Sequence, residues 1–337
     1  MARRKRASDP LGGRLARLAA LRENPTTPAA VTELRAALAD RSMHAVAKAA
    51  EIAGEFEITE REPELAASFG RLMIDPTETD KACVAKAAII EALVRLGAEQ
   101  PDIYLAGARH IQLEPVWGGC KDTAGGLRGA CAMALVRIAH AQAYEVLADL
   151  LADRDTAARV GAAEAAGHGA PHVVAPLLRL KILLGDEEAR VLGACFGSLL
   201  RVSPRESLTF VAGHLGAPST EVREAAAFAL GDSQLAAAFD HLRSWRENSL
   251  SREMSRVALL AIALLRIDEA LDYLIELVGS APTLTARQAL EAVSVHCERP
   301  VVRERVLRAA GRRADLALQA AEFLPRVGEG SGQVEDS

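Results

Sequence analysis

One Ala-rich segment recurs eight times along this chain, and that repetition limits the possible folds more than any other feature. Its clearest copy is Val222-Arg223-Glu224-Ala225-Ala226-Ala227-Phe228-Ala229-Leu230-Gly231, with small or apolar residues at i, i+3, i+4, i+7 and i+8. Those offsets line one face of an α-helix. The same offsets fit segments beginning at Val46, Ala85, Leu127, Ala158, Ala189, Ser255 and Ala286, so successive copies lie 39, 42, 31, 31, 33, 33 and 31 residues apart. Between them run bulkier Leu-rich segments with helical spacing, such as 173–184, 207–215 and 270–278. A single pair of such helices is too thin to bury its own apolar face, so neighbouring pairs must stack.

Turn chemistry marks the helix ends. Pro28, Pro63, Pro101, Pro171, Pro204 and Pro300 stand near the starts of the Leu-rich segments, where a first turn has no use for the missing N–H. Ser203-Pro204-Arg205-Glu206 has the pattern of a capping box. Gly54, Gly97, Gly167 and Gly231 fall at or just past the ends of Ala-rich helices, which predicts left-handed C-caps. Ala and Gly on the second helix of each pair allow close approach, while Leu, Ile and Val on the first fill the space between pairs. The expected fold is all-α: a right-handed α-solenoid of about nine helical hairpins. A leading helix near 11–22 opens an array over 11–324. A basic disordered arm (1–10) precedes it and a disordered tail (325–337) follows it.

With Val222-Arg223-x-Ala225 as the pattern, a cation recurs at one position: Lys86, Arg128, Arg159, Arg190, Arg223, Arg256 and Arg287. On these residues and the glycine termini the chain resembles the HEAT-repeat family, especially its short phycobilisome-lyase-type repeats. The resemblance implies a structural ladder between repeats in which an Asp six residues before the cation joins it. Asp80/Lys86, Asp122/Arg128 and Asp153/Arg159 match that spacing, whereas Ala217 and Ala281 occupy it before Arg223 and Arg287. A cationic stripe for an acidic partner is the competing explanation of the column.

The 42-residue step adds about ten residues to the usual period, most of them in a Gly-rich segment at 114–126. Insertions in repeat arrays emerge on one edge, often the binding edge. Trp117, one of two tryptophans, lies there with His110, Gln112, Glu114, Lys121 and Asp122 around it. An exposed aromatic among polar groups suits a binding hot spot. The alternative is that Trp117 folds back to plug the gap left by a longer repeat.

Composition narrows the functions. A net charge of −5 argues against a surface built to neutralise nucleic-acid phosphates. The Arg3-Arg4-Lys5-Arg6 arm could still touch nucleic acid. Five scattered cysteines, Cys83, Cys120, Cys131, Cys195 and Cys297, without a C-x-x-C pair read as reduced thiols. No stretch is long and apolar enough for a membrane span, and the basic start has no apolar core behind it, so the expected location is cytoplasmic. Cys120 as a nucleophile would need His110 or Lys121 beside it. His168 and His172 sit in a Gly/Pro turn with no third ligand apparent, so no metal is expected. Among HEAT-like enzymes, deoxyhypusine hydroxylase carries His-Glu dipeptides, which are absent here. Neither a glycosylase nor a bilin-lyase motif is found. The resulting expectation is a non-catalytic scaffold without cofactor, presenting its concave helix face and the 114–126 loop to an unknown protein partner. An enzyme or lyase-like protein with a ligand site in 110–122 is the alternative, and a nucleic-acid-binding repeat protein the second.

Overall fold

The computed structural model of the chain describes residues 10–248 and 251–316. Residues 1–9 of the expected arm, the end of the array over 317–324 and the expected disordered tail (325–337) lie outside the described residues, whereas Pro10, expected in the arm, begins the first helix. Helices dominate, and contacts group the chain into two compact units that meet in chain order at Leu183 and Leu184.

In the first unit α1 (Pro10–Ala20) leads into helix pairs: α2 (Pro28–Leu38) with α3 (Met43–Glu55), then α4 (Glu62–Leu72) with α6 (Val84–Arg95). A one-turn helix, α5 (Pro76–Thr79), lies between the last two. Next come α7 (Pro101–Ala108) with α8 (Gly125–Arg137), α9 (Ala143–Leu151) with α10 (Thr156–Ala166), and finally α11 (Pro171–Leu184). The second helices form a row in which α3 packs on α6, α6 on α8 and α8 on α10. The second unit repeats the scheme. Its row is α12 (Ala189–Val202), α14 (Thr220–Asp232), α16 (Arg252–Leu264) and α18 (Thr283–Ser294). Alongside run α13 (Pro204–Gly213), α15 (Ala238–Asn248), α17 (Asp268–Ser280) and α19 (Pro300–Ala310). All eight Ala-rich copies are helical, and each occupies one member of these rows.

Packing distance explains the small residues. Ala49, Ala50, Ala53, Ala85, Ala132, Ala158 and Ala162 are fully buried within the row of the first unit. Gly129 on α8 faces Gly161 on α10 so closely that a Cβ on either would stand 2.8 or 2.6 Å from the other's Cα. The larger Leu34, Leu38, Leu65, Phe69, Leu72 and Tyr104 fill the space between pairs. Tyr104 donates its buried hydroxyl proton to the Ala98 carbonyl at 2.7 Å.

The six prolines stand in first turns as expected. The glycine caps are different. Only Gly97 takes the left-handed conformation (φ +68°). Gly54 and Gly231 lie inside α3 and α14, where a Cβ would strike Ala92 and Ala261 of the next helix. Gly167 caps α10 in right-handed geometry. The left-handed turns fall instead on Glu57, Ala139, Gln234 and Arg266. The six-to-one bonds Ile58 N–H to Ala53 O, Ala98 N–H to Leu93 O and His140 N–H to Leu135 O close Schellman motifs around Glu57, Gly97 and Ala139. In this fold those interior glycines serve interhelical contact before chain reversal. The Ser203 box also differs: the Ser203 hydroxyl bonds the Glu206 carboxylate (2.9 Å), and its oxygen caps no helix amide.

Candidate interaction site at an inserted hairpin

The 114–126 segment, expected to be a loop, folds as a β-hairpin of β1 (Leu113–Val116) and β2 (Gly119–Asp122), and its last two residues open α8. The antiparallel register pairs Leu113 with Asp122, Glu114 with Lys121, Pro115 with Cys120 and Val116 with Gly119. Trp117 and Gly118 form the two-residue turn, and Gly118 supplies the positive φ (+93°) it requires.

The base of the hairpin is fastened from both strands. Gln112, fully buried, is the hub: its side-chain amide donates to the Asp80 carbonyl (2.8 Å) and to the Glu114 carboxylate (2.6 Å). Its side-chain carbonyl accepts from the Cys83 thiol (3.2 Å) and pairs with His110 Nε2 (3.0 Å). The Glu114 carboxylate also accepts the Ala82 amide (2.6 Å) and the Thr123 hydroxyl (2.9 Å). On β2, the Asp122 carboxylate accepts the amides of Gln112 (3.1 Å) and Ala124 (3.0 Å) and pairs with Arg128 at 2.8 Å.

Partial burial alone would raise both acids. In Glu114 the Ala82, Gln112 and Thr123 donors outweigh that cost, and in Asp122 the Ala124 and Gln112 amides with Arg128 do so, so both titrate below the usual carboxylate range. Burial pushes the Cys83 thiol up to about 11, despite nearby Lys86. Cys83 therefore stays a protonated hydrogen-bond donor, not a nucleophile.

Arg128 joins consecutive repeats through two carboxylates. Its nearly inaccessible guanidinium lies 2.8 Å from Asp122 and 2.9 Å from Asp153 of the following repeat, and donates to the His110 carbonyl (2.9 Å). These bonds raise its own basicity against the cost of burial. Asp80 and Lys86 form a fully buried pair (3.1 Å), and Asp80 also accepts the Ala85 and Lys86 amides at the start of α6. The Asp153/Arg159 pairing takes another form: Arg159 donates to the carbonyls of Asp153 and Arg154 (3.0 Å each). Arg223 does likewise at Ala217 (2.7 Å) and Pro218 (3.1 Å). A main-chain carbonyl needs no Asp side chain, which explains why Ala is tolerated there. In the second unit Arg190 and Arg287 are exposed, and Arg256 pairs with Glu291 on α18.

Beyond this base the hairpin is apolar and open. Trp117 is fully exposed, and Ile111, Leu113 and Val116 are exposed beside it. The gap-plug alternative does not describe Trp117. Trp245, on α15, is half-buried. Cys120 is exposed on β2 opposite Pro115, while His110 is engaged with Gln112, so the two are not brought together as a nucleophile and base. Among the described residues no group of three or more His, Cys, Asp or Glu side chains could hold a metal ion, and His172 is exposed at the start of α11. Among the same residues no helix is long and apolar enough to cross a membrane.

Sequence reasoning missed the partner of this insertion. The preceding 39-residue step is also long, and its extra residues form the 75–83 segment that receives Glu114 and Gln112. Asp75, Ala82 and Cys83 there have positive φ (46°, 57° and 55°), an arrangement that non-glycine residues hold only where the surroundings enforce it.

No family model matches the chain, and no curated protein matches it. Among solved structures, a crystal structure of an engineered protein is similar at 16% sequence identity and a TM-score of 0.33, covering 94% of this chain and 95% of that one.

Proposed function

We propose that this protein is a non-catalytic interaction scaffold, an α-solenoid of HEAT-like repeats whose inserted hairpin docks a protein partner through Trp117. The observation that carries the reading is a fully exposed Trp at the tip of a hairpin whose base is fixed by buried polar bonds. A rigid aromatic loses little conformational freedom on binding and buries a large area, which is the chemistry of a hot spot. The hairpin supports the reading better than the helix face does, because the repeat alanines are consumed in helix–helix packing. Five cysteines scattered along the sequence without a C-x-x-C pair support a reducing, cytoplasmic setting.

The test is affinity capture with wild type and Trp117→Ala side by side, with a cross-linker at position 117 to locate the contact. A partner that cross-links at 117 and is lost from Trp117→Ala supports the scaffold. Equal capture by both proteins would remove the hairpin from the interface.

A further inference from the structure

The two edges of the hairpin are unequal. The Thr123 amide donates to the Gln112 carbonyl (2.9 Å), which continues the ladder below Leu113 and Asp122. With pairs alternating along an antiparallel ladder, 112/123, 114/121 and 116/119 exchange bonds, while residues 113, 115, 120 and 122 turn their main-chain groups outward. The outer edge of β1 therefore carries Pro115, which has no N–H to give to another strand. On β2 the outward position belongs to Cys120, whose N–H and C=O take no other bond among the described residues.

The faces specify what would lie there. Leu113, Pro115, Cys120 and Asp122 share one face, on which Leu113 and Pro115 are exposed and apolar while the Asp122 carboxylate is taken up by the Gln112 and Ala124 amides and Arg128. Glu114, Val116 and Lys121 share the other. The Glu114 carboxylate is turned to Ala82, Gln112 and Thr123, and Lys121 has no carboxylate partner among the described residues. A strand laid along β2 would set one side chain beside Cys120 on the apolar face and the next beside the unpaired ammonium of Lys121.

We propose that the outer edge of β2 accepts an extended partner segment in which apolar and acidic residues alternate. The segment adds a third strand through the Cys120 main chain, places a carboxylate against Lys121 and packs an apolar residue toward Trp117. This deepens the scaffold reading and rests on it, since it names the kind of segment that the hairpin captures.

The test uses the full-length protein and short synthetic peptides alternating Val with Glu, Val with Lys, or Val with Ser, followed by the fluorescence of Trp117 in a Trp245→Phe background. The Val/Glu peptide should bind best. Lys121→Glu should weaken it by about fivefold to tenfold and favour the Val/Lys peptide, as expected when an attractive cross-strand pair becomes a repulsive one. Cys120→Pro should abolish binding, because it removes the outward N–H without touching a bond inside the hairpin. Continued protection of the Thr123 amide from hydrogen exchange shows that the hairpin persists in that variant. Absence of binding by every peptide, or Val/Glu binding unchanged in Cys120→Pro, would overturn the proposal. If a protein partner depends on Trp117 but ignores Cys120→Pro, strand addition fails while the scaffold reading stands.

Discussion

Adding one methyl group at Gly129 or Gly161 should destabilise this protein, although the same change stabilises most helices. Replacing a helical glycine by alanine ordinarily gains about 1 kcal/mol from reduced backbone freedom. At Gly129 the new Cβ would stand 2.8 Å from the Gly161 Cα, and at Gly161 it would stand 2.6 Å from the Gly129 Cα, against an ordinary contact of at least 3.4 Å. The helices must therefore part by about 0.6 or 0.8 Å. The obstacle is main chain, so no side chain can rotate away, and overpacking of this kind costs about 1–3 kcal/mol. The net expectation is a loss of up to about 2 kcal/mol for each substitution. Gly70→Ala and Gly197→Ala meet nothing within 4 Å and should gain about 0.5–1 kcal/mol. Once the helices have parted, the second methyl meets less resistance, so the Gly129→Ala/Gly161→Ala double variant should lose less than the two singles together. Urea titration followed by circular dichroism measures the signs. Hydrogen exchange on α8 and α10 localises the effect, since a repeat protein can open by parts. Gly129→Ala as stable as wild type, with Gly70→Ala gaining normally, would refute the close-contact argument.

Arg128→Met removes the cation shared by Asp122 and Asp153, and stranding two partly buried carboxylates should cost about 2–4 kcal/mol in urea titration; unchanged stability would mean the rung is dispensable. The folded pKa values of Glu114 and Asp122 lie below their unfolded ones, so their contribution is complete above the ordinary values of 4.5 and 3.8 and is lost as pH falls through the depressed folded values. Amide chemical shifts of Ala82 and Ala124 should titrate with midpoints under 4.5 and 3.8 respectively, and midpoints at or above those values contradict the donor geometry. Of the five thiols only Cys120 is exposed, so a water-soluble maleimide should label one site rapidly in the native protein, and rapid native labelling of Cys83 or Cys131 would contradict their burial.

Much of this architecture is legible in residues with local consequences. The six prolines locate helix starts because a missing N–H matters only in the first turn. The Ala periodicity locates the second helices because each buries one narrow face. Gly54 and Gly231 differ from the expected caps because an interior contact and a C-cap leave the same letter in the sequence, and only the neighbouring helix distinguishes them. The hairpin hides in four-residue strands, too short to show alternation, and its Pro115 argues locally against a strand. Gln112 and Glu114 are visible as polar candidates around Trp117, but their bonds to Asp80, Ala82 and Cys83 depend on segments about thirty residues apart in sequence meeting in space. The two long steps, 39 and 42, were the available signal that adjacent insertions support each other.

The most direct test of the account is a binding measurement on a purified partner recovered through position 117, comparing wild type, Trp117→Ala and Gly70→Ala under identical conditions. Gly70→Ala should bind as wild type, and Trp117→Ala should lose at least about 2 kcal/mol of binding free energy, the scale of an aromatic hot spot. Full affinity in Trp117→Ala, with the hairpin still protected from exchange at Thr123, would contradict it.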